Sequence, residues 1–108
     1  MSEDLGLSSH PLSDLFPQPE SIEEWTSYCL SEDQLLEYQE KGFIHGIKVL
    51  NHDQIEVLRR ELSEMFVPEH EGREFFYEYH SNESTIPETV LFHALGAWRV
   101  RKAFHDIL

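Results

Sequence analysis

The sequence has a single cysteine, Cys29, so no disulfide can form within the chain. This excludes a disulfide-stabilised secreted scaffold, and one free thiol fits a reducing compartment. No stretch approaches the roughly 18 consecutive apolar residues that a membrane-spanning helix needs. The start, MSEDLGLSSHPL, has neither the basic region nor the apolar run of a secretory signal peptide. We therefore expect a cytoplasmic protein without a membrane partner.

Basic residues are missing from the front of the chain. Residues 1–40 hold ten acids and no Lys or Arg, whereas residues 41–108 hold eleven acids and eight bases. The net charge of −13 is thus concentrated at the front, which a nucleic-acid backbone or an anionic lipid surface would repel. We expect no nucleic-acid partner.

The length of 108 residues allows one domain with a modest core. Residues 1–24 contain Pro11, Pro17 and Pro19, several serines and six acids, a composition that predicts an acidic mobile tail. Within this tail, the apolar cluster over residues 12–16 has two interpretations. It docks in a partner's groove, or it packs loosely against the chain's own body, and general experience with such tails favours the second.

A nearly identical phrase occurs twice, as LSEDQL over residues 30–35 and LNHDQI over residues 50–55. Ser31 and Asn51 occupy an N-cap position, and Gln34 and Gln54 stand three residues later, as in a capping box. The phrase therefore predicts two helix starts. The first helix should run from Glu32 to Lys41 and end at Gly42, and the second should end before Pro68.

The remaining residues are predicted to form both strands and helices. The β-branched residues over 43–50 and the aromatic alternation over 73–80 each indicate a strand, the latter with Phe75, Tyr77 and Tyr79 on one face. A helix is expected from Pro87 to Leu95 and another over residues 98–108. The fold class is α+β, with a helix–strand–helix unit at the front.

Seven histidines raise the question of a metal site, but none is followed two residues later by an acid, as the paired half of a non-haem iron triad requires. The residues at those places are Leu12, Ile47, Gln54, Gly72, Asn82, Leu95 and Ile107. The pairs His70 with Glu74 and His80 with Glu83 have suitable residue types. However, they lie in predicted loops or strands, where this spacing does not converge on one ion, so solvated polar residues are favoured.

Other residues with possible chemistry have structural interpretations. His45 is expected to be an ordinary core or edge residue, and His93 and His105 ordinary helix residues. The cluster of Arg99, Arg101 and Lys102 is expected to form salt bridges rather than a nucleic-acid patch. No glycine-rich phosphate loop or Gly-x-Ser-x-Gly motif is present.

Two stretches of the sequence resemble the phytanoyl-CoA dioxygenase family. These are the run LEYQEKGFI over residues 36–44 with VLNHDQIEVLRREL over 49–62, and the later FHAL over 92–95 with AFHDIL over 103–108. The resemblance extends over residues 30–108. It implies that residues 25–108 are the N-terminal part of a single domain with a double-stranded β-helix, or jelly-roll, fold.

Members of that family are hydroxylases that use Fe(II), 2-oxoglutarate and O₂ on small-molecule substrates. Their iron is held by a His-x-Asp…His triad, and an Arg in a late strand binds 2-oxoglutarate. These motifs follow the region matched here, so the resemblance assigns no catalytic, cofactor-binding or metal residue in this chain. We therefore expect the 108 residues to be a truncated portion that binds no cofactor by itself.

The sequence leaves two alternative functions to be tested. The first is an N-terminal segment that supports the catalytic jelly roll of an Fe(II)/2-oxoglutarate-dependent dioxygenase. The alternative is a free-standing, small acidic adaptor or inhibitor that binds a protein partner through the apolar faces of its helices and has no catalytic activity.

Overall fold

A computed structural model describes residues 4–108, apart from the side chain of Leu5. The protein is α+β and divides into two compact units, residues 17–51 and residues 4–16 with 52–108. The helices are α1 (Ile22–Thr26), α2 (Glu32–Lys41), α3 (His52–Met65) and α4 (Lys102–Asp106). Strands β1 (Glu78–His80) and β2 (His93–Leu95) form an antiparallel sheet, and Leu5–Leu7, Arg73–Phe75 and Ala97–Arg99 form 3₁₀ turns.

The unit of residues 17–51 contains the helix start that the repeated phrase predicts. Ser31 Oγ accepts a hydrogen bond from the Gln34 backbone N–H at 3.2 Å, and Gln34 Oε1 accepts one from the Ser31 N–H at 2.8 Å. Gly42 ends α2 with φ of +77°, in the left-handed region that favours glycine. The capping box and both ends of α2 are therefore confirmed. A short helix not predicted from the sequence, α1, begins at Ile22, after the N-cap residue Ser21, within the predicted tail.

The strand predicted over residues 43–50 is wrong. These residues form neither helix nor strand, and Gly46 interrupts them with φ of +73°. A strand forms only when its backbone groups pair with a neighbouring strand, which β-branched residues alone do not supply. His45 is exposed rather than part of a core, with its ring 6.2 Å from the ring of Phe43.

In the other unit, α3 runs from His52 to Met65 and stops before Pro68, as predicted. The capping box predicted for Asn51 and Gln54 stays a prediction. Gln54 Nε2 donates a hydrogen bond to the Leu15 carbonyl at 2.7 Å. The apolar side of α3 ends at Met65, which is 1% exposed. This residue anchors the small core of the unit.

A β hairpin replaces two predicted elements. Only Glu78–His80 of the strand predicted over 73–80 pairs with a neighbour, and the helix predicted from Pro87 to Leu95 is instead a turn followed by β2. The Asn82 side chain holds this turn, accepting from the N–H of Leu91 at 3.0 Å and donating to the carbonyl of Thr89 at 3.4 Å. These bonds compete with helix formation in the same segment.

The helix predicted over residues 98–108 is also shorter than expected. Arg101 is extended, with φ of −128° and ψ of 133°, and α4 begins only at Lys102. The Glu61 carboxylate on α3 accepts the N–H of Ala103 at 3.0 Å, one of the otherwise unpaired donors of the first turn. A contact from α3 therefore sets where α4 begins.

Aromatic rings pack beside the sheet. Phe92 lies 4.5 Å from Phe66 and 5.7 Å from Tyr79, measured between ring centroids, and Phe76 lies 5.3 Å from Tyr79. The predicted face of Phe75, Tyr77 and Tyr79 is therefore wrong in part. Phe75 and Tyr77 are exposed, because the backbone of residues 73–75 turns instead of continuing as a strand.

Candidate functional site

Two histidines and two glutamates form a cluster on the hairpin. His80 and His93 are directly opposite each other in the sheet, with ring centroids 5.9 Å apart. Glu78 lies between them, with Oε1 at 3.1 Å from His80 Nε2 and Oε2 at 3.8 Å from His93 Nε2. Glu83 Oε2 is 3.5 Å from His93 Nδ1. Since all four side chains are well exposed, these contacts contribute little stability even when the imidazoles are charged.

The two pairs considered as metal ligands, His70 with Glu74 and His80 with Glu83, are expected from the sequence to be solvated polar residues. Among residues 4–108, no three His, Cys, Asp or Glu side chains are arranged to hold a metal. His80 pairs with Glu78, and the Nδ1 of His70 lies 2.9 Å from the Glu71 carbonyl. The described residues therefore provide no iron site, and the resemblance assigns its triad to no residue of this chain.

A mixed-charge cavity of about 500 Å³ lies beside α3 and α4. Its charged lining residues are Glu61, Glu64, Glu71, Glu74, Arg99, Arg101 and Lys102. Arg101 forms the ion pair predicted for the basic cluster, with its Nε 3.3 Å from Glu64 Oε2, and its Nη1 donates to the Glu71 carbonyl at 3.2 Å. The Arg99 guanidinium lies 4.6 Å from the centre of the Tyr77 ring. The bases are thus largely engaged by the chain itself.

The carboxylate of Asp106 connects the front of the chain to α4. Its Oδ1 accepts the N–H of Leu12 at 2.8 Å, and its Oδ2 accepts both the N–H and the hydroxyl of Ser13, at 2.8 and 2.6 Å. His105 Nδ1 lies 2.9 Å from Oδ1. The Asp106 side chain is only 2% exposed, so these donors replace water around a buried charge.

The same contacts determine the pKa of Asp106. Burial of the carboxyl raises its pKa, but hydrogen bonds from Ser13, Leu12 and His105 favour the charged form more strongly. The net effect holds the pKa of Asp106 far below its usual range. Asp106 is therefore a fixed negative charge at ordinary pH rather than a proton donor.

Exposed apolar surface is the most extensive feature of the described residues. Leu15, Met65 and Ala103 are the apolar side chains that are almost fully buried, while 23 large apolar or aromatic side chains are exposed. In the unit of residues 17–51 they include Leu35, Leu36 and Tyr38 of α2. In the other unit they include Val90, Leu91 and Leu95 along the second half of the hairpin. Large exposed apolar side chains in such number are typical of surfaces on which other protein packs.

Sequence reasoning missed Asp106 and the Glu78–His93 contact. Leu12 and Asp106 are 94 residues apart, and no local pattern signals such a pair. The one sequence signal for this contact was the apolar cluster at residues 12–16. The interpretation that this cluster packs on the chain's own body agrees with the contacts of Leu12, Ser13 and Leu15. The first three residues of the predicted tail lie outside the described residues.

None of the helices formed by residues 4–108 has the length and apolar character needed to cross a bilayer. Searches against protein-family models, curated proteins and solved structures found no match to this chain.

Proposed function

We propose that this chain is the N-terminal supporting part of an Fe(II)/2-oxoglutarate-dependent dioxygenase of the phytanoyl-CoA dioxygenase family. In this proposal its exposed apolar faces pack against the catalytic jelly roll. The observation that carries the proposal is an imbalance among the residues that the structure describes, where three apolar side chains are almost fully buried and 23 large ones are exposed. The resemblance of residues 30–108 to that family supports the choice of partner fold.

The energetics favour a supporting role. A two-stranded sheet is marginally stable by itself, and this one is supported by the end of α3 through Met65 and Phe66. Each large apolar side chain moved from water into a protein interior contributes about 1.5–3 kcal/mol. Val90, Leu91 and Leu95 are each more than half exposed, so covering them would add to the stability of the hairpin. The hairpin is the part of the chain for which a covering jelly roll matters most.

In this proposal the catalytic residues lie in the jelly roll of the parent enzyme. The iron, the 2-oxoglutarate and the small-molecule substrate would be bound by residues of the parent enzyme, because no described residue set of this chain fits the metal. The proposed location is the cytoplasm, which suits the single exposed thiol of Cys29. The acidic front disfavours a nucleic-acid partner.

The proposal can be tested by charging the surface that it buries. In the protein translated from the complete coding sequence, Leu91→Lys should abolish succinate formation from 2-oxoglutarate, because the ammonium would be buried without a partner. Thr89→Lys adds the same charge two residues away at a polar, exposed position and should leave turnover unchanged. The hydrogen bond from the Leu91 backbone N–H to Asn82 Oδ1 does not involve the Leu91 side chain and is kept in the first variant.

The isolated 108 residues provide a second test. The proposal expects them to bind a hydrophobic dye strongly and Leu91→Lys to reduce that binding. A cooperatively folding chain that binds no dye, in combination with full turnover of the Leu91→Lys protein, would refute the supporting role. That result would favour the alternative of a free-standing acidic adaptor or inhibitor.

A further inference from the structure

Residues 12–16 are attached to α3 and α4 by a small set of contacts. The N–H groups of Leu12 and Ser13 and the Ser13 hydroxyl all donate to the Asp106 carboxylate. Gln54 on α3 donates to the Leu15 carbonyl at 2.7 Å. Leu15 is 4% exposed and is the one fully buried side chain of the segment.

These contacts have the form of peptide recognition. Two main-chain N–H groups and one carbonyl of a bent segment are bound by side chains of α3 and α4, and one apolar side chain, Leu15, is buried. The main-chain bonds supply attachment whatever the sequence, whereas the Ser13 hydroxyl and the Leu15 side chain supply selectivity. The arrangement therefore fits a segment of the form x-Ser-x-Leu, because the exposed Leu12 contributes only its backbone N–H.

Residues 12–16 are held by few hydrogen bonds, and a proline-containing stretch follows them. Leu12 and Asp14 remain exposed, and Pro17 and Pro19 follow at once. Segments with few buried apolar contacts and exposed backbone hydrogen bonds open locally while the rest of a domain stays folded. The contacts of residues 12–16 can thus be lost without disturbing the bond between Glu61 and Ala103 that joins α3 to α4.

We propose that α3 and α4 carry a peptide-binding site for an x-Ser-x-Leu segment, anchored by Asp106, and that this chain's own residues 12–16 occupy it as a releasable strap. The closed strap keeps other segments of the same chemistry out of the site. This inference does not depend on the proposed oxygenase role.

The test uses the full chain with the strap opened. Ser13→Pro combined with Leu15→Asp removes one N–H, the hydroxyl and the buried side chain. A fluorescent peptide of residues 10–18 should then bind this double variant at least about tenfold more tightly than it binds the wild type. Adding Asp106→Asn to the double variant should lower the peptide affinity by about tenfold or more. A peptide of scrambled sequence is the control.

Two results would overturn the proposal. One is a folded double variant, shown by helical backbone chemical shifts over α3 and α4, that binds the two peptides equally or does not respond to Asp106→Asn. The other is a wild-type dimer that exchanges strands of residues 12–16 between copies, since the segment would then belong to a second copy.

Hydrogen exchange keeps the proposal testable if the double variant fails to fold. In the wild type, the amides of Leu12 and Ser13 should exchange through local opening, faster than the amide of Ala103. Equal protection at the three amides would show that the strap does not open independently, and would refute its release.

Discussion

The hydroxyl of Tyr79 offers the sharpest test of how the hairpin is held. It donates to the carbonyl of Met65 at 2.6 Å, and Met65 is the last residue of α3. That carbonyl is one of the four that a helix leaves unpaired at its C-terminal end, and it is buried here. Tyr79→Phe keeps the ring and its contacts with Phe76 and Phe92 but leaves the carbonyl without this donor.

The expected loss is about 1–2 kcal/mol, the usual cost of leaving a buried acceptor unpaired. The reporter is the amide of Glu83, which donates to the Leu91 carbonyl at 2.8 Å across the hairpin. Its hydrogen exchange should accelerate by roughly 5- to 30-fold in Tyr79→Phe. Tyr77→Phe is the matched control, because the Tyr77 ring is exposed, and its effect should stay within about 0.5 kcal/mol. Equal exchange rates in the two variants would refute the role of the hydroxyl.

Three further predictions follow from local geometry and charge. Ser31→Ala should cost about 1 kcal/mol and lower the helicity of α2 in backbone chemical shifts, whereas Ser31→Asp should preserve it. Because the folded state lowers the pKa of Asp106, its contribution to stability should be complete above the ordinary value of about 3.9 and fall as pH drops below it. An acid titration should therefore be flatter for Asp106→Asn, and an equally steep one would count against the buried anion. Gly96→Ala should destabilise by more than the ~1 kcal/mol expected for Gly42→Ala. Both glycines have a backbone conformation in the left-handed region. A Cβ on Gly96 would lie 2.9 Å from Tyr77 Cδ2, whereas a Cβ on Gly42 would face open space. Unfolding of the two variants by urea checks this order, and equal losses would contradict it.

The elements that sequence predicted well are those set by neighbouring residues. Ser31, Gln34 and Gly42 define both ends of α2 through bonds within a few positions, so the pattern and the structure agree. The stop of α3 before Pro68 is equally local. Signals of this kind need no knowledge of the fold.

The elements that sequence missed depend on distant partners. Residues 43–50 have strand composition, yet a strand also requires a neighbour, and composition does not supply one. The start of α4 depends on Glu61, which lies 42 residues before Ala103. Asp106 likewise binds Leu12 and Ser13, which precede it in the sequence by 94 and 93 positions. This site could be located only once the fold was known.

The coding sequence that continues from the codon of Leu108 tests the central proposal most directly. The supporting role predicts that the same reading frame encodes a His-x-Asp motif and a later His, the ligand set of a non-haem iron site. A stop codon directly after Leu108, or a continuation without that triad, would contradict it.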